Sequence, residues 1–294
     1  MRLFLTIPGA FAARRSTHPR AARTPRFFGA LRLTSCLALI FGLTLTSCAS
    51  PVPRAEVLAE SHGWETELIQ GADFRHRVFR NRVPRGEVLH VYIEGDGTPY
   101  LQRYFVAADP TPENPLMLRL MALDPASSVY VGRPCYFDTV SDLECNPQYW
   151  TLKRFSPRVV ESLARAVQKE QLRAGAKQLE LFGHSGGGTL AVLLTARLTG
   201  VTRVVTLAPT MDIDAWTDFH RYTPLKGSLN PAEDVRLDAS IRADHYVGSR
   251  DDNVPPSLVR EAAGKIGGNV HVIDEFTHAC CWERIWQGVL QGEQ

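Results

Sequence analysis

The sequence predicts an α/β fold, with a mostly parallel central sheet and helices on both of its faces. Short apolar segments with the length of strands alternate with segments that show the 3.6-residue period of helices. Strands and helices in alternation form parallel sheets that helices cover on both sides. The chain has 294 residues, 44% hydrophobic and 22% charged, which excludes a wholly disordered, collagen-like or coiled-coil chain.

Eight segments have the composition and length of strands. The first two flank turn residues 70–73 and predict a hairpin, and the third leads directly into Glu94-Gly95-Asp96-Gly97. The predicted strands cover residues 64–68, 74–79, 88–93, 127–131, 178–182, 203–207, 243–247 and 270–273.

Five segments predict helices. The clearest begins at Ser156-Pro157, because Ser is a favoured N-cap residue and Pro a favoured first residue, and it ends at Gly175. Residues 209–240 show little periodicity and predict a short cap-like excursion over the edge of the sheet. The other predicted helices cover residues 116–123, 186–198, 257–266 and 282–290.

Residues 1–47 predict an export signal with an extended basic leader. They contain seven Arg and no Asp or Glu, and an apolar core at residues 36–45 precedes a run of small residues. This order is that of a secretory signal peptide, and the core is too short for a transmembrane helix. The end of the segment, Leu45-Thr46-Ser47-Cys48-Ala49, resembles the bacterial lipobox. The resemblance implies that Cys48 becomes the lipidated first residue of the mature chain.

The leader sets the expected boundaries and leaves alternatives open. An ordinary signal peptide with a chance Cys, or a twin-arginine signal at Arg14-Arg15, would also export the chain. In the lipoproteins that this leader resembles, a non-acidic residue after the lipidated Cys, here Ala49, accompanies sorting to the outer membrane. We therefore expect a signal peptide over 1–47, a tether over 48–62 and a domain over 63–294, held in the bacterial envelope and facing the periplasm.

The charge distribution argues against nucleic acid as a partner. The formal net charge of the chain is +2, and the seven Arg of residues 1–47 leave −5 for residues 48–294. A domain with that charge has no overall attraction to a phosphate backbone.

Four cysteines follow Cys48, and export predicts disulfide bonds among them. Cys135 and Cys145 would close a loop rich in Asp and Pro, so we expect them to pair. Cys280 and Cys281 are adjacent, and a vicinal bridge, free thiols or pairing with the loop cysteines stay open. The cysteine spacing typical of zinc sites does not occur, so no metal site is predicted.

Gly183-His184-Ser185-Gly186-Gly187 matches the pattern G-x-S-x-G, which places a nucleophilic Ser on a sharp turn. The pattern alone is weak evidence. Here, however, it lies between a predicted strand and a predicted helix, which is the setting that the nucleophile requires. The glycines leave room where the strand and the helix nearly touch. Ser185 is therefore the candidate nucleophile.

With this turn, residues 64–292 resemble the α/β-hydrolase family, whose catalytic residues occur in the order Ser, acid, His. Residues 248–255, Gly-Ser-Arg-Asp-Asp-Asn-Val-Pro, look like the family's acid turn and align Asp251 with the acid. His278 follows the last predicted strand, where the family has its catalytic His. The resemblance implies a Ser185, Asp251 and His278 triad that requires no cofactor. A closer likeness, at residues 132–135, 150–151 and 228–231, is to uncharacterised bacterial lipoproteins and implies no substrate.

The resemblance also implies an oxyanion hole. One donor is the backbone N–H of Gly186, and alignment gives Asp96 as the second donor, with Gly97 next to it. Many family members have His-Gly where this chain has Glu94-Gly95. A carboxylate near a developing oxyanion is unfavourable unless it points away, so the second donor stays open between Asp96 and Gly97.

Other residues compete for the catalytic roles. Asp252 lies one position from Asp251, while Asp212 and Asp214 follow the preceding strand, where some family members have their acid. The other histidines of the domain are expected to be packed or at the surface, and the rivals of His278 are His184, His220, His245 and His271.

Together these features predict an exported, lipid-anchored serine hydrolase that cleaves an ester or thioester of a small molecule or lipid through an acyl-enzyme. Two alternatives stay open. The same triad cleaves amides, which gives a serine peptidase or amidase. The unusual residues Glu94 and Asp96 favour a non-catalytic binding protein of the envelope on the same fold. The sequence leaves the oligomeric state undetermined.

Overall fold

The computed structural model describes residues 54–102 and 104–292. A small hairpin consists of β4 (Tyr100–Leu101) and β5 (Phe105–Val106). The strands of the central sheet are β1 (Glu65–Gln70), β2 (Arg75–Arg80), β3 (Val88–Ile93), β6 (Ser128–Val131), β7 (Gln178–His184), β8 (Val201–Leu207), β9 (Arg242–Gly248) and β10 (Asn269–Ile273).

The central sheet has the order β1-β2-β6-β3-β7-β8-β9-β10. β1 and β2 form the predicted hairpin, and β2 is antiparallel to β6. From β6 to β10 all neighbouring strands are parallel, so their carboxyl ends meet at one edge of the sheet. The predicted α/β fold with a mostly parallel sheet is confirmed.

Eight helices accompany the sheet in the described residues. The predicted limits of the longest are confirmed, although the hydroxyl of Ser156 makes no capping hydrogen bond, and Gly175 ends the helix with a φ of 66°. The helices are α1 (Arg54–Ser61), α2 (Leu116–Met121), α3 (Pro157–Ala174), α4 (Gly186–Thr195), α5 (Ile213–His220), α6 (Pro231–Asp234), α7 (Pro256–Ile266) and α8 (Trp286–Gln291).

Two segments differ from the prediction. Residues 54–61, expected as part of a tether, form α1, because Ala55 and Ala59 are one helical turn apart and both pack into the core. The helix expected over 282–290 is divided into a 3₁₀ turn, Trp282–Arg284, and α8. The division lets the indole N–H of Trp282 donate to the carbonyl of His278 at 3.1 Å.

The core lies on both faces of the parallel strands. Val91, Leu181 and Val204 in the three middle strands are completely buried, as expected for strands that helices cover on both sides. Residues 209–240, the predicted excursion, contain α5 and α6. Among the described residues, no helix combines the length and the apolar character that a membrane span requires.

Both cysteine pairs of the domain form disulfide bonds. Cys135 pairs with Cys145, as predicted, and Cys280 pairs with its neighbour Cys281, which selects one of the three arrangements left open. The export signal over 1–47, the lipidation site Cys48 and the first residues of the tether lie outside the described residues.

Candidate active site

Ser185 lies at the carboxyl edge of the sheet, as the single residue between β7 and α4. Its φ of 51° and ψ of −121° are strained for a residue with a side chain, as expected for a sharp turn from strand to helix. Its N–H donates to the carbonyl of Leu207 at 2.8 Å. A side chain at Gly183 would collide with the backbone of Gly187, which explains the glycine there.

The structure brings Ser185, His278 and Asp251 together from three strand ends. Nε2 of His278 lies 3.0 Å from Oγ of Ser185, and Nδ1 of His278 lies 2.9 Å from Oδ2 of Asp251. The other carboxylate oxygen of Asp251 accepts the N–H groups of Asn253 and Val254 at 3.0 and 2.8 Å. The buried carboxylate is therefore fixed and fully hydrogen-bonded, and it holds the imidazole with the proton on Nδ1.

The backbone of His278 is anchored by two further side chains. Its carbonyl accepts hydrogen bonds from Nε2 of His184 at 2.8 Å and from Nε1 of Trp282 at 3.1 Å. Burial, together with the neighbouring His278, lowers the pKa of His184 to about 3. His184 is therefore neutral at physiological pH and serves as a donor that positions His278.

The rival residues have other partners. Asp252 is exposed, Asp212 pairs with Lys265 at 2.7 Å, and Asp214 accepts a hydrogen bond from Asn230 at 3.1 Å. Among the other histidines, Nε2 of His220 lies 2.7 Å from the carbonyl of Asn253, His245 bonds Thr206, and His271 pairs with Asp244. In residues 54–102 and 104–292, no group of three or more His, Cys, Asp or Glu is arranged to hold a metal ion.

The loop after β3 faces the first turn of α4. The N–H groups of Asp96, Gly97 and Gly186 donate no hydrogen bond to another described residue, so they are available to a bound oxygen. A side chain on Gly186 would collide with the carboxylate of Asp96, which shows how closely the loop approaches this turn. Gly97 has a φ of 63°, which favours glycine. Gly186 directly follows Ser185, and Asp96 and Gly97 line the same cleft as Ser185.

The carboxylate of Asp96 is clamped by two buried arginines. Arg133 binds one of its oxygens, and Nη1 of Arg154 binds the other at 2.5 Å. Burial would raise the pKa of Asp96, but the charges of Arg154 and Arg133 outweigh it and hold the pKa at about 2. The hydroxyl of Tyr136 donates to the carbonyl of Asp96 at 2.9 Å. The negative charge beside the candidate oxyanion hole is therefore neutralised, and the loop is held in place.

Glu94 holds the other side of this loop. Its two carboxylate oxygens accept the N–H of Gly95 at 3.1 Å and the N–H of Met117, at the start of α2, at 3.0 Å. Burial raises the pKa of Glu94 to about 7, although these two hydrogen bonds oppose the shift. The carboxyl group of Glu94, the first residue of the loop, therefore changes charge near neutral pH.

Ser185 and His278 line a cleft of about 630 Å³. The excursion over 209–240 and the segment after Gly97 both contribute to the lining of this cleft. Its lining is mainly apolar and includes Pro99, Tyr100, Leu116, Leu152, Trp216 and Leu225. Such a cleft accepts an apolar group and orients it by a few polar contacts.

Comparison with other proteins agrees with this architecture. No protein-family model matches the sequence, and no curated protein matches it. Among solved structures, an α/β serine hydrolase homologue from Coxiella burnetii has 14% identity and a TM-score of 0.54, over 77% of this chain and 94% of its own. The fold is that of the α/β hydrolases.

Two further α/β-hydrolase structures match over similar lengths. An esterase from Pyrococcus furiosus has 10% identity and a TM-score of 0.54, over 79% of this chain and 91% of its own. A proline iminopeptidase-related protein from Thermus thermophilus has 14% identity and a TM-score of 0.53, over 78% and 95%. At these identities the likeness concerns the fold, and one fold carries many activities.

Three residues of this candidate site were not predicted. Arg133 and Arg154 contact Asp96 from loops 37 and 58 residues further along the chain, and no local pattern marks such pairs. Nδ2 of Asn253 lies 3.0 Å from Nε2 of His278. The position of Asn253 inside the acid turn was a usable signal, because a residue two positions after the acid lies close to the imidazole that the acid binds.

Proposed function

We propose that this protein is a serine hydrolase that cleaves a carboxylic ester or thioester with Ser185, His278 and Asp251 as its triad. One observation carries the proposal. The hydroxyl of Ser185 lies 3.0 Å from Nε2 of His278, to which it can donate, and Nδ1 of His278 donates to Asp251 at 2.9 Å, so the hydrogen bonds form a continuous chain that begins in the apolar cleft. A hydroxyl paired with an oriented imidazole is the arrangement that activates a serine nucleophile.

The reaction follows from this geometry. As Oγ of Ser185 attacks the carbonyl carbon, its proton passes to Nε2 of His278, and Asp251 stabilises the resulting cation. The carbonyl oxygen, now an oxyanion, accepts the N–H groups of Gly186 and of Asp96 or Gly97. Collapse breaks the bond to the leaving alcohol or thiol, which takes the proton from His278. Water then attacks the acyl-enzyme by the same proton transfers and releases the acid.

The arginine clamp on Asp96 supports catalysis over a pure binding role. A free carboxylate at this position would oppose a developing oxyanion, and this was the feature that favoured a binding protein. Arg133 and Arg154 cancel that charge and leave the backbone N–H groups unpaired. The apolar lining of the cleft supports a substrate with an apolar acyl group.

We further propose that the domain is exported and held by a lipid on Cys48. The support is the sequence Leu45-Thr46-Ser47-Cys48-Ala49, together with the two disulfide bonds, which persist in oxidising compartments. Metabolic labelling with a fatty acid in a bacterial host tests the anchor. The natural chain should be labelled and Cys48→Ser should not.

Fluorophosphonate labelling of residues 49–294, which contain every described element, tests the hydrolase. The wild type and Ser257→Ala, an exposed serine on α7, should be labelled, and Ser185→Ala should not. Absent labelling of a folded wild type would contradict the proposal. Matched butyrate esters and amides of one chromogenic leaving group then separate an esterase from an amidase, and we expect hydrolysis of the ester.

A further inference from the structure

Two exposed apolar segments flank the opening of the cleft. The first is the β4–β5 hairpin, where Tyr104 is 84% exposed, Phe105 is 64% exposed, and Leu101 and Val106 are also exposed. The second is the end of α5 and the residues after it, where Phe219 and Tyr222 are exposed. We refer to these six side chains as the apolar rim.

Both segments of the apolar rim are continuous with the lining of the cleft. Tyr100, the first residue of the hairpin, lines the cleft, and so do Trp216 and Tyr222. The base of the hairpin is fixed, because the N–H of Ala107 donates to the carbonyl of Pro99 at 3.0 Å, and Trp150 donates to the carbonyl of Ala107 at 3.1 Å. The exposed side chains of the hairpin therefore belong to a segment whose base is hydrogen-bonded to the rest of the domain.

The apolar rim is a concentration of exposed apolar side chains rather than a chance scatter. Eleven large hydrophobic side chains are exposed in residues 54–102 and 104–292, and six of them belong to this rim. Single exposed apolar residues are normal, whereas a contiguous group marks an interaction surface. Residues 97–108 contain no Asp or Glu, although residues 48–294 have a net charge of −5.

The chain length between Cys48 and α1 limits how far the domain stands from an anchored membrane. Only five residues, 49–53, intervene, and five extended residues span less than about 20 Å. A lipid on Cys48 would therefore keep the start of α1 within about that distance of the bilayer.

We propose that the apolar rim docks on the lipid bilayer and that the cleft takes ester substrates from the membrane surface. This inference rests on the proposed hydrolase function and names its substrate class as membrane lipids. Aromatic side chains with a polar end, such as that of tyrosine, suit the boundary between water and lipid. A lipid anchor attaches the domain at one point, and contact through the apolar rim would fix its orientation at the membrane surface. Together they orient the cleft opening toward the bilayer.

Flotation with phosphatidylcholine vesicles tests the docking surface. The protein is residues 49–294, which lack Cys48, so that no acyl chain contributes to binding. We compare the wild type, the double variant Tyr104→Ser/Phe105→Ser and the control Leu172→Ser, whose side chain is 82% exposed on α3, near the opposite edge of the sheet. The double variant should bind vesicles at least about tenfold more weakly than the wild type, and the control should bind equally well.

Fluorophosphonate labelling of the same samples separates this inference from the proposed function. The three proteins should be labelled at equal rates, because Tyr104 and Phe105 do not line the cleft. A labelled wild type that fails to float, or a double variant that floats like the wild type, would overturn the docking surface and leave the hydrolase intact. Size-exclusion chromatography adds one outcome: a wild-type dimer that the double variant dissociates would assign the rim to self-association and also overturn the proposal.

Discussion

The side-chain amide of Asn253 and the hydroxyl of Ser185 both lie 3.0 Å from the same nitrogen, Nε2 of His278. A neutral imidazole has one lone pair on that nitrogen, and two donors compete for it. The backbone of Asn253 has separate contacts, because its N–H binds Asp251 and its carbonyl accepts from Trp216. The side chain of Asn253 can therefore be changed without disturbing the acid turn.

Replacement of Asn253 by Ala should raise the rate of serine labelling. A competing hydrogen bond is worth about 0.5–1.5 kcal/mol, so its removal should increase the second-order rate constant with a fluorophosphonate roughly two- to tenfold. A slower reaction would show instead that the amide assists the proton transfer.

Replacement of Asp251 by Asn should lower kcat by roughly 10²–10⁴-fold, because the amide no longer fixes the imidazole tautomer or stabilises its cation. Asp252→Asn is the matched control, because the side chain of Asp252, next to Asp251 in the sequence, is exposed and makes no contact with His278. Ester hydrolysis under saturating substrate measures both variants. Equal losses in the two would contradict the choice of Asp251.

The arginine clamp predicts a charge rescue. Arg154→Met should leave one carboxylate oxygen of Asp96 without its counter-ion and lower kcat roughly tenfold or more, because the negative charge on that oxygen then opposes the oxyanion. Adding Asp96→Asn to the same chain should restore part of the activity. The kcat values of the wild type, the two single variants and the double variant form a double-mutant cycle. A double variant with a lower kcat than Arg154→Met would exclude this electrostatic role.

Glu94 should make the stability of the fold depend on pH. Burial raises its pKa to about 7, so the folded chain binds this proton more tightly than the unfolded chain. The resulting stabilisation is complete below the ordinary pKa of a glutamate and is lost as the pH rises toward 7, a change of about 3 kcal/mol.

Urea unfolding at about pH 5 and about pH 8 measures this contribution in Glu94→Gln. When the pH is raised from the lower to the higher of these values, the free energy of unfolding of Glu94→Gln should increase relative to that of the wild type. The exposed Glu113→Gln should show no such pH-dependent difference. Parallel curves for the wild type and Glu94→Gln would argue against the shift.

Local sequence patterns were sufficient for the sheet, and they selected Ser185, Asp251 and His278, which lie within hydrogen-bonding distance of one another in the structure. Ser185, Asp251 and His278 each lie within about five residues of the end of a parallel strand, so the order of strands brings these residues to one edge. Long-range electrostatics was not readable, because Arg133 and Arg154 find Asp96 only after the chain has folded. α1 was missed for a different reason. Its eight residues are too few for the helical period to distinguish a helix from a polar tether.

The clamp on Asp96 also constrains how this loop can evolve. An aspartate at position 96 is compatible with an oxyanion only while both arginines are present, and two buried arginines without the aspartate would be left as unpaired charges. Loss of any one of these three residues therefore makes the other two unfavourable at their positions. Among relatives of this chain, positions 96, 133 and 154 should be inherited or exchanged as a set, and sequences lacking the aspartate should have lost the arginines as well.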